Sequence, residues 1–191
     1  MVVGVVGLGL IGGSAAKAFK AAGATLLACD INESIVSYAQ LEGVVDGVLG
    51  VDNIATCDLL LLTATPKAVE GYLRDNAKYI NPQTLVIDFC GTKRKVCELG
   101  FALAAEHGFT FVGGHPMAGS HHSGFKASRS NLFQGAPMVI VPPKYDDPEL
   151  LQRVKDALIP CGFKSYDSLY FISRSKVIHI CGRQKSVSRH S

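Results

Sequence analysis

The stretch that decides the fold of this chain lies at its start, where residues 2–14 read VVGVVGLGLIGGS. Residues 2–6 form a short apolar run rich in β-branched side chains, which predicts a strand. The glycines that follow are typical of a tight turn, and the Ala- and Lys-rich segment from Ser14 to Ala22 predicts a helix. A strand, a glycine-rich turn and a helix in this order predict the beginning of a βαβ unit.

The same alternation of strands and helices continues along most of the chain. Further strands are predicted at 25–29, 44–49, 58–64, 84–88, 109–112 and 137–141, and further helices at 32–41, 67–79, 95–107 and 148–159. Strands that alternate with helices of this length call for a mostly parallel sheet with helices on both faces. We therefore expect an α/β fold of the doubly wound Rossmann type.

Composition excludes several classes of protein. The 191 residues are 48% hydrophobic and 18% charged, which is enough apolar material for one packed domain. No apolar run approaches the roughly 18 residues of a membrane span, and no signal segment precedes the first strand, so we expect a cytoplasmic protein without membrane contact. The six cysteines are scattered singly, which favours neither a disulfide framework nor a zinc site, and no metal is expected.

The glycines of the first turn have the spacing of a dinucleotide-binding fingerprint. Gly7 allows the tight turn, Gly9 lets the backbone approach a pyrophosphate, and Gly12 lets helix and strand pack closely. Asp30 follows at the end of the second predicted strand, where a carboxylate can accept hydrogen bonds from ribose hydroxyls. Residues 31–32 offer no positive charge to a 2′-phosphate, so the pattern favours NAD over NADP. The alternative is a glycine-rich turn without a dinucleotide.

The last part of the chain differs in composition from the rest. Residues 170–191 contain five Lys or Arg and no acid, so the preceding body carries a net charge of −2 and no nucleic-acid partner is expected. From Ser168 onward no sustained hydrophobic period is visible. We expect a dinucleotide-binding domain over residues 1–167 and an irregular basic tail over residues 168–191, the remnant of a truncated or frame-shifted chain.

A second motif, GGHPMAGS at residues 113–120, follows directly on a predicted strand. His115 should therefore lie in a loop at the carboxyl edge of the sheet, where ligands of such folds bind. Its imidazole suits proton transfer near neutral pH, although a loop histidine is also common as a structural or solvated residue. His121 and His122 follow, but the loop lacks the Asp, Glu or Cys that a metal site would need.

Three segments together, GLGLIGGS at 7–14, DFCGTK at 88–93 and GHPMAGS at 114–120, resemble the prephenate dehydrogenase family, including its arogenate-using members. The resemblance covers about residues 1–167. It implies NAD-dependent oxidative decarboxylation of prephenate to 4-hydroxyphenylpyruvate, in the biosynthesis of tyrosine. In that chemistry the hydride on ring C4 goes to the nicotinamide, and loss of the ring carboxylate makes the ring aromatic.

The resemblance also implies roles for particular residues. His115 matches the histidine that hydrogen-bonds the substrate hydroxyl and helps to remove its proton, and Ser120 fits as a loop hydroxyl near the substrate. Many relatives carry a serine where this chain has Gly91, so the hydroxyl is either supplied by Thr92 or absent. The implied cofactor residues are Gly7, Gly9, Leu10, Ile11, Gly12, Asp30, Thr63, Thr65 and Pro66, of which the last three would lie beside the nicotinamide ribose.

Family members continue into a helical domain that forms a dimer and supplies basic residues for the substrate carboxylates. We expect this domain to be absent here, and activity to be impaired. Two alternatives remain: a dehydrogenase of the 3-hydroxyacid or 6-phosphogluconate type, which would need a catalytic Lys on a later helix, and a non-catalytic NAD-binding module. Substrate-dependent reduction of NAD separates an enzyme from a binding module. The sequence does not choose between prephenate and arogenate.

Overall fold

The computed structural model describes residues 1–144, 146–173 and 176–180, with side chains up to residue 169. These residues form nine strands: β1 (Val2–Val6), β2 (Thr25–Cys29), β3 (Gly47–Val48), β4 (Leu59–Leu62), β5 (Leu85–Asp88), β6 (Thr110–Pro116), β7 (Pro137–Val141), β8 (Ser165–Ser173) and β9 (Lys176–Ile180). They also form five α-helices: α1 (Leu10–Ala21), α2 (Glu33–Leu41), α3 (Pro66–Asn76), α4 (Arg94–His107) and α5 (Pro148–Ala157).

All nine strands belong to one sheet in the order β3-β2-β1-β4-β5-β6-β7-β8-β9. Strands β1 to β6 pair in parallel, β6 pairs with β7 antiparallel, β7 with β8 in parallel, and β8 with β9 antiparallel. The predicted doubly wound, mostly parallel sheet is thus confirmed. From β1 the sheet is extended through β2 and β3 on one side, and from β4 it is extended on the other side. Such a switch point between two parallel neighbours opens a crevice at the carboxyl ends of the strands.

Helices cover both faces of the sheet, which explains the continuous apolar strands. Strand β4 consists of four leucines, all fully buried. Leu59 and Leu61 face the layer that contains α1, α2 and α5, whereas Leu60 and Leu62 face the layer of α3 and α4. None of the described helices combines the length and apolar composition that crossing a lipid bilayer requires.

Two elements extend beyond their predicted limits. Helix α1 begins at Leu10 rather than Ser14, because Gly12 and Gly13 are helical despite their low helix propensity. Strand β6 continues to Pro116 instead of ending at residue 112. The predicted loop position of His115 is therefore wrong: His115 lies within β6, since the antiparallel partner β7 holds it opposite Val139.

The expectation that residues from Ser168 onward are irregular is also wrong for the part that the structure describes. Ser168 lies inside β8, which pairs with β7 from Ser165 to Ser168, and β9 adds an antiparallel strand. Main-chain hydrogen bonds along β7 hold this segment, so it needs no hydrophobic period to form a strand. The remainder of the predicted tail, residues 181–191, lies outside the described residues.

Candidate active site

The three fingerprint glycines fulfil distinct steric requirements. Gly7 has φ +93°, a left-handed conformation that favours glycine, and a Cβ there would lie 2.9 Å from atoms of Ala64. A Cβ on Gly12 would overlap the carbonyl oxygen of Gly7 and the hydroxyl of Thr63, so α1 can pack on the turn only without a side chain. At Gly9 nothing lies within 4 Å of a Cβ position, which leaves open space above the backbone.

Thr63, just after β4, ties that strand to the glycine turn. Its hydroxyl donates to the carbonyl oxygens of Gly7 at 2.6 Å and Val6 at 3.0 Å. The hydroxyl proton of Thr63 is therefore engaged by main-chain carbonyls, and the hydroxyl oxygen can still accept a hydrogen bond from a ligand such as the predicted ribose.

Asp30 closes the same turn from the other side. Its carboxylate accepts hydrogen bonds from the Leu8 amide at 2.7 Å and the Asn32 amide at 2.9 Å, one on each oxygen. A carboxylate has about four acceptor positions, so both oxygens can still accept from ribose hydroxyls. The side chain is partly exposed, and Ile31 beside it is fully exposed.

A cleft of about 550 Å³ opens at this point, within the size range of small-molecule and cofactor sites. It brings together several predicted residues, namely Gly7, Gly9, Asp30, Thr63 and Thr65. Leu10, Ile11 and Gly12 form the first turn of α1 instead, and Pro66 begins α3. The first turn of α1 has no side-chain cap and no acid, so its free amides favour a phosphate at this end of the cleft.

The electrostatics of the cleft depend on one residue. Among its lining side chains, Asp30 alone carries a charge at neutral pH. Burial, assisted by the charge of Asp30, raises the pKa of the Cys29 thiol to about 11, and burial also raises the pKa of Tyr72. Both groups are therefore neutral, and the cleft offers no cation to a second phosphate. Cys29 and Tyr72 were not identified from the sequence, because scattered cysteines and tyrosines carry no binding motif.

His115 lies near the end of β6 and does not itself line this cleft, to which Cys90 and Ala64 connect it. Its Nδ1 is 3.2 Å from the carbonyl oxygen of Cys90. Because a carbonyl oxygen only accepts, Nδ1 is the donor in this hydrogen bond, which in a neutral imidazole leaves Nε2 as the acceptor. The Cys90 thiol in turn donates to the carbonyl oxygen of Ala64 at 3.3 Å, and Ala64 lines the cleft. The half-buried imidazole can therefore accept a proton from a group placed against the cleft.

An ion pair between Asp88 and Lys93 lies against β6 at Gly114, the residue before His115. The Asp88 carboxylate is fully buried and the Lys93 side chain is 10% exposed. The Lys93 ammonium also donates to the carbonyl oxygen of Gly114 at 2.5 Å. The sequence carried a signal for this pair, since Asp88 ends a buried apolar strand and a lysine follows five residues later.

The other predicted catalytic residues are not joined to His115. Thr92 is exposed in the turn before α4, and Ser120 is exposed, its hydroxyl accepting from the His122 amide at 3.1 Å. No hydrogen bond between either of them and His115 occurs in the part of the chain that the structure describes. A Cβ on Gly91 would lie 3.7 Å from Cε1 of His115, so a side chain there would fit beside the imidazole.

Ser120 lines a separate cleft of about 500 Å³ with His122, Lys126 and Arg129, which makes that cleft basic. Over the described ranges, no three His, Cys, Asp or Glu side chains converge as a metal ion would require.

Comparison with known proteins agrees with this geometry. The family described as "Prephenate dehydrogenase, nucleotide-binding domain" matches residues 15–167. The prephenate dehydrogenase of Bacillus subtilis is 33% identical over an alignment of 161 residues, with coverage of 80% of this chain and 42% of that protein. The corresponding enzyme of Lactococcus lactis is 31% identical over 169 residues, 86% of this chain and 48% of that protein. The chain thus spans less than half the length of these relatives.

A solved structure indicates the same family. Synechocystis arogenate dehydrogenase superposes with a TM-score of 0.78 at 31% identity, covering 87% of this chain and 59% of that one. Because the family match covers residues 15–167, which include Asp30 and Thr63 of the cleft and His115 on β6, the chain belongs to the prephenate dehydrogenase family.

Proposed function

We propose that this chain is the NAD-binding part of a dehydrogenase that oxidises and decarboxylates prephenate or arogenate. One observation carries the proposal: His115, whose Nδ1 contacts the Cys90 carbonyl, is connected through Cys90 and Ala64 to a glycine-cradled cleft in which Asp30 is the one acidic or basic lining residue that the structure describes. The family match supports this function over a 3-hydroxyacid or 6-phosphogluconate type of dehydrogenase.

The residues present fit a dinucleotide. Gly9 leaves open space at the N-terminus of α1 for a pyrophosphate, and Asp30 keeps acceptor positions for the adenosine ribose. Thr63 and Thr65 lie across the cleft at the end of β4, where we place the nicotinamide ribose. When bound, NAD supplies the hydride acceptor. The negative charge of Asp30 opposes a 2′-phosphate, so we propose NAD rather than NADP.

Within this scheme His115 holds and moves a proton. The substrate hydroxyl donates to Nε2, and the imidazole takes that proton as the C4–H bond breaks and C4 becomes a carbonyl carbon. Loss of the ring carboxylate as carbon dioxide then gives the aromatic ring, whose phenolic oxygen recovers a proton. General base catalysis of this kind is worth about 10²- to 10⁴-fold.

Ser120 and Thr92 enter the proposal on the resemblance, which implies a hydroxyl near the substrate; both side chains are exposed. The basic cleft that Ser120 shares with Lys126 and Arg129 is the described surface best suited to a substrate carboxylate. A cytoplasmic location stays a prediction for this chain. The resemblance implies a dimer only through the helical domain expected to be absent here, and sedimentation of the purified protein measures the oligomeric state of this chain.

Two measurements on the purified chain test the proposed function. Calorimetric titration should show NAD binding, with NADP at least about tenfold weaker. Formation of NADH is then followed with prephenate and, separately, with arogenate as the substrate. NAD binding with turnover of either substrate supports the proposal and identifies the substrate, whereas NAD binding without turnover supports a binding module. Absence of NAD binding contradicts both.

A further inference from the structure

The buried ion pair against β6 has no counterpart in the proposed chemistry, because neither partner reaches the cleft. Lys93 and Asp88 are absent from the residues that line it. A buried ion pair is weak evidence for stability, since desolvating the two charges offsets most of their attraction. The hydrogen bonds that the pair makes with neighbouring residues indicate a different role for it.

Each partner of the pair is also bonded to a residue that holds or carries the imidazole. Oδ2 of Asp88 accepts from Lys93, and Oδ1 accepts from the Cys90 amide at 2.7 Å. The same Cys90 residue presents its carbonyl oxygen to Nδ1 of His115 at 3.2 Å. Asp88 thus fixes one end of Cys90, and His115 donates to the other.

A second path runs through Lys93. Its ammonium donates to the carbonyl oxygen of Gly114, the residue before His115 on β6. The approach is close enough that a Cβ on Gly114 would lie 2.8 Å from the carbonyl oxygen of Asp88. The pair therefore clamps the acceptor of the imidazole proton and the strand that carries the imidazole.

We propose that Asp88 and Lys93 are positioning residues that hold His115 in the Nδ1–H tautomer, with the lone pair of Nε2 directed away from Cys90. The inference rests on the proposed function for its purpose, because a base that accepts a substrate proton at Nε2 must be neutral and unprotonated there. The tautomer itself is a property of the chain and can be measured without cofactor, substrate or turnover.

The test is NMR of the full chain labelled with ¹⁵N-histidine, at about pH 8.5, where an ordinary imidazole is neutral. The His115→Asn variant assigns the His115 signals among the six histidines. In the unmodified protein we expect a protonated Nδ1 and an unprotonated Nε2. A protonated Nε2 in the unmodified protein overturns the proposal, whether or not the chain binds NAD or turns over substrate.

The Lys93→Met variant removes one partner while keeping the length of the side chain. We expect the ratio of Nδ1–H to Nε2–H tautomer to fall by about two- to tenfold, the range for loss of one hydrogen bond. If that variant does not fold, the double variant Asp88→Asn with Lys93→Met removes both charges, and the same fall is expected. Lys95→Met, an exposed position two residues after Lys93 in the first turn of α4, is the matched control and should leave the ratio unchanged.

A folded single or double variant with the tautomer ratio of the unmodified protein overturns the proposal, because the pair would then act only on packing. A fall in the ratio with unchanged NAD affinity supports it. If the unmodified chain does not bind NAD, the proposed function is contradicted, but the measured tautomer of His115 still decides the present proposal.

Discussion

Replacing Asp30 with Asn tests the assignment of the cofactor site, because the side chain keeps its shape and loses its charge. The amide offers one acceptor oxygen where the carboxylate offers two. One of the two bonds that Asp30 accepts, from the Leu8 amide at 2.7 Å or the Asn32 amide at 2.9 Å, must therefore be lost. The glycine turn loses part of its support, and the cleft loses its negative charge.

Both effects have a magnitude. A hydrogen bond to a charged group is worth about 1.5–3 kcal/mol. Because Asp30 is partly exposed, water can replace part of the lost hydrogen bond, and we expect the lower figure. A loss of about 1.5 kcal/mol corresponds to a Tm lower by roughly 3–6 °C in a domain of this size. The preference for NAD over NADP, at least about tenfold or 1.4 kcal/mol in the unmodified chain, should shrink to about threefold or less.

The assay combines thermal unfolding without ligand and calorimetric titration with NAD and with NADP. Asp52→Asn is the control, since Asp52 is exposed and lies outside the cleft. It should change neither the Tm nor the affinity ratio. Equal or tighter binding of NADP by the unmodified chain would refute the reasoning, and so would an Asp30→Asn variant that keeps both its Tm and its tenfold preference.

Three further outcomes are expected. Gly12→Ala forces a Cβ into the glycine turn and should weaken NAD binding by more than about tenfold and lower the Tm in titration and melting experiments, whereas Gly71→Ala, which meets open space, should do neither. In a complete, active relative, replacing the histidine that matches His115 with Asn should lower kcat at least about 100-fold in steady-state turnover while the Kd for NAD changes less than about twofold, and retained turnover would make this histidine structural. Burial raises the pKa of Cys29 and of Cys57 to about 11, so both thiols keep protons that the unfolded chain releases near pH 8.5. Their contribution to the unfolding free energy is therefore complete below about pH 8.5 and is lost as the pH rises towards 11; denaturant unfolding at about pH 8 and about pH 10 should show the fall, and a flat profile would contradict it.

The sequence predicted those parts of the fold that depend on local pattern. The apolar run before Gly7 and the all-leucine strand β4 carry their signal within a few residues, and both strands formed where expected. Asp30 was identified because it ends a strand at a known distance from the glycines. Helix α1 began earlier than predicted because Gly12 and Gly13 are poor helix formers in isolation, and close packing against the turn and the residues near Phe125 outweighs that preference.

The features that the sequence left out depend on contacts between distant segments. The extension of β6 through His115 requires β7, which begins more than twenty residues later. Nδ1 of His115 contacts the carbonyl oxygen of Cys90, and Lys93 donates to the carbonyl oxygen of Gly114. In both cases the two partners lie more than twenty residues apart in the sequence. Local periodicity carries no information on such pairings, so the roles of Thr92 and Ser120 also stay predictions.

The antiparallel pairing of β6 with β7 has a consequence for how this protein can change. His115 is fixed opposite Val139 by the strand register, and a shift by a single residue would turn the imidazole to the other face of the sheet. The connection between the two strands, residues 117–136, does not set that register. Insertions and deletions in this connection can therefore reshape the basic cleft around Lys126 without displacing the imidazole, whereas a single-residue deletion inside β6, between its pairing with β5 and His115, would turn the imidazole to the other face of the sheet.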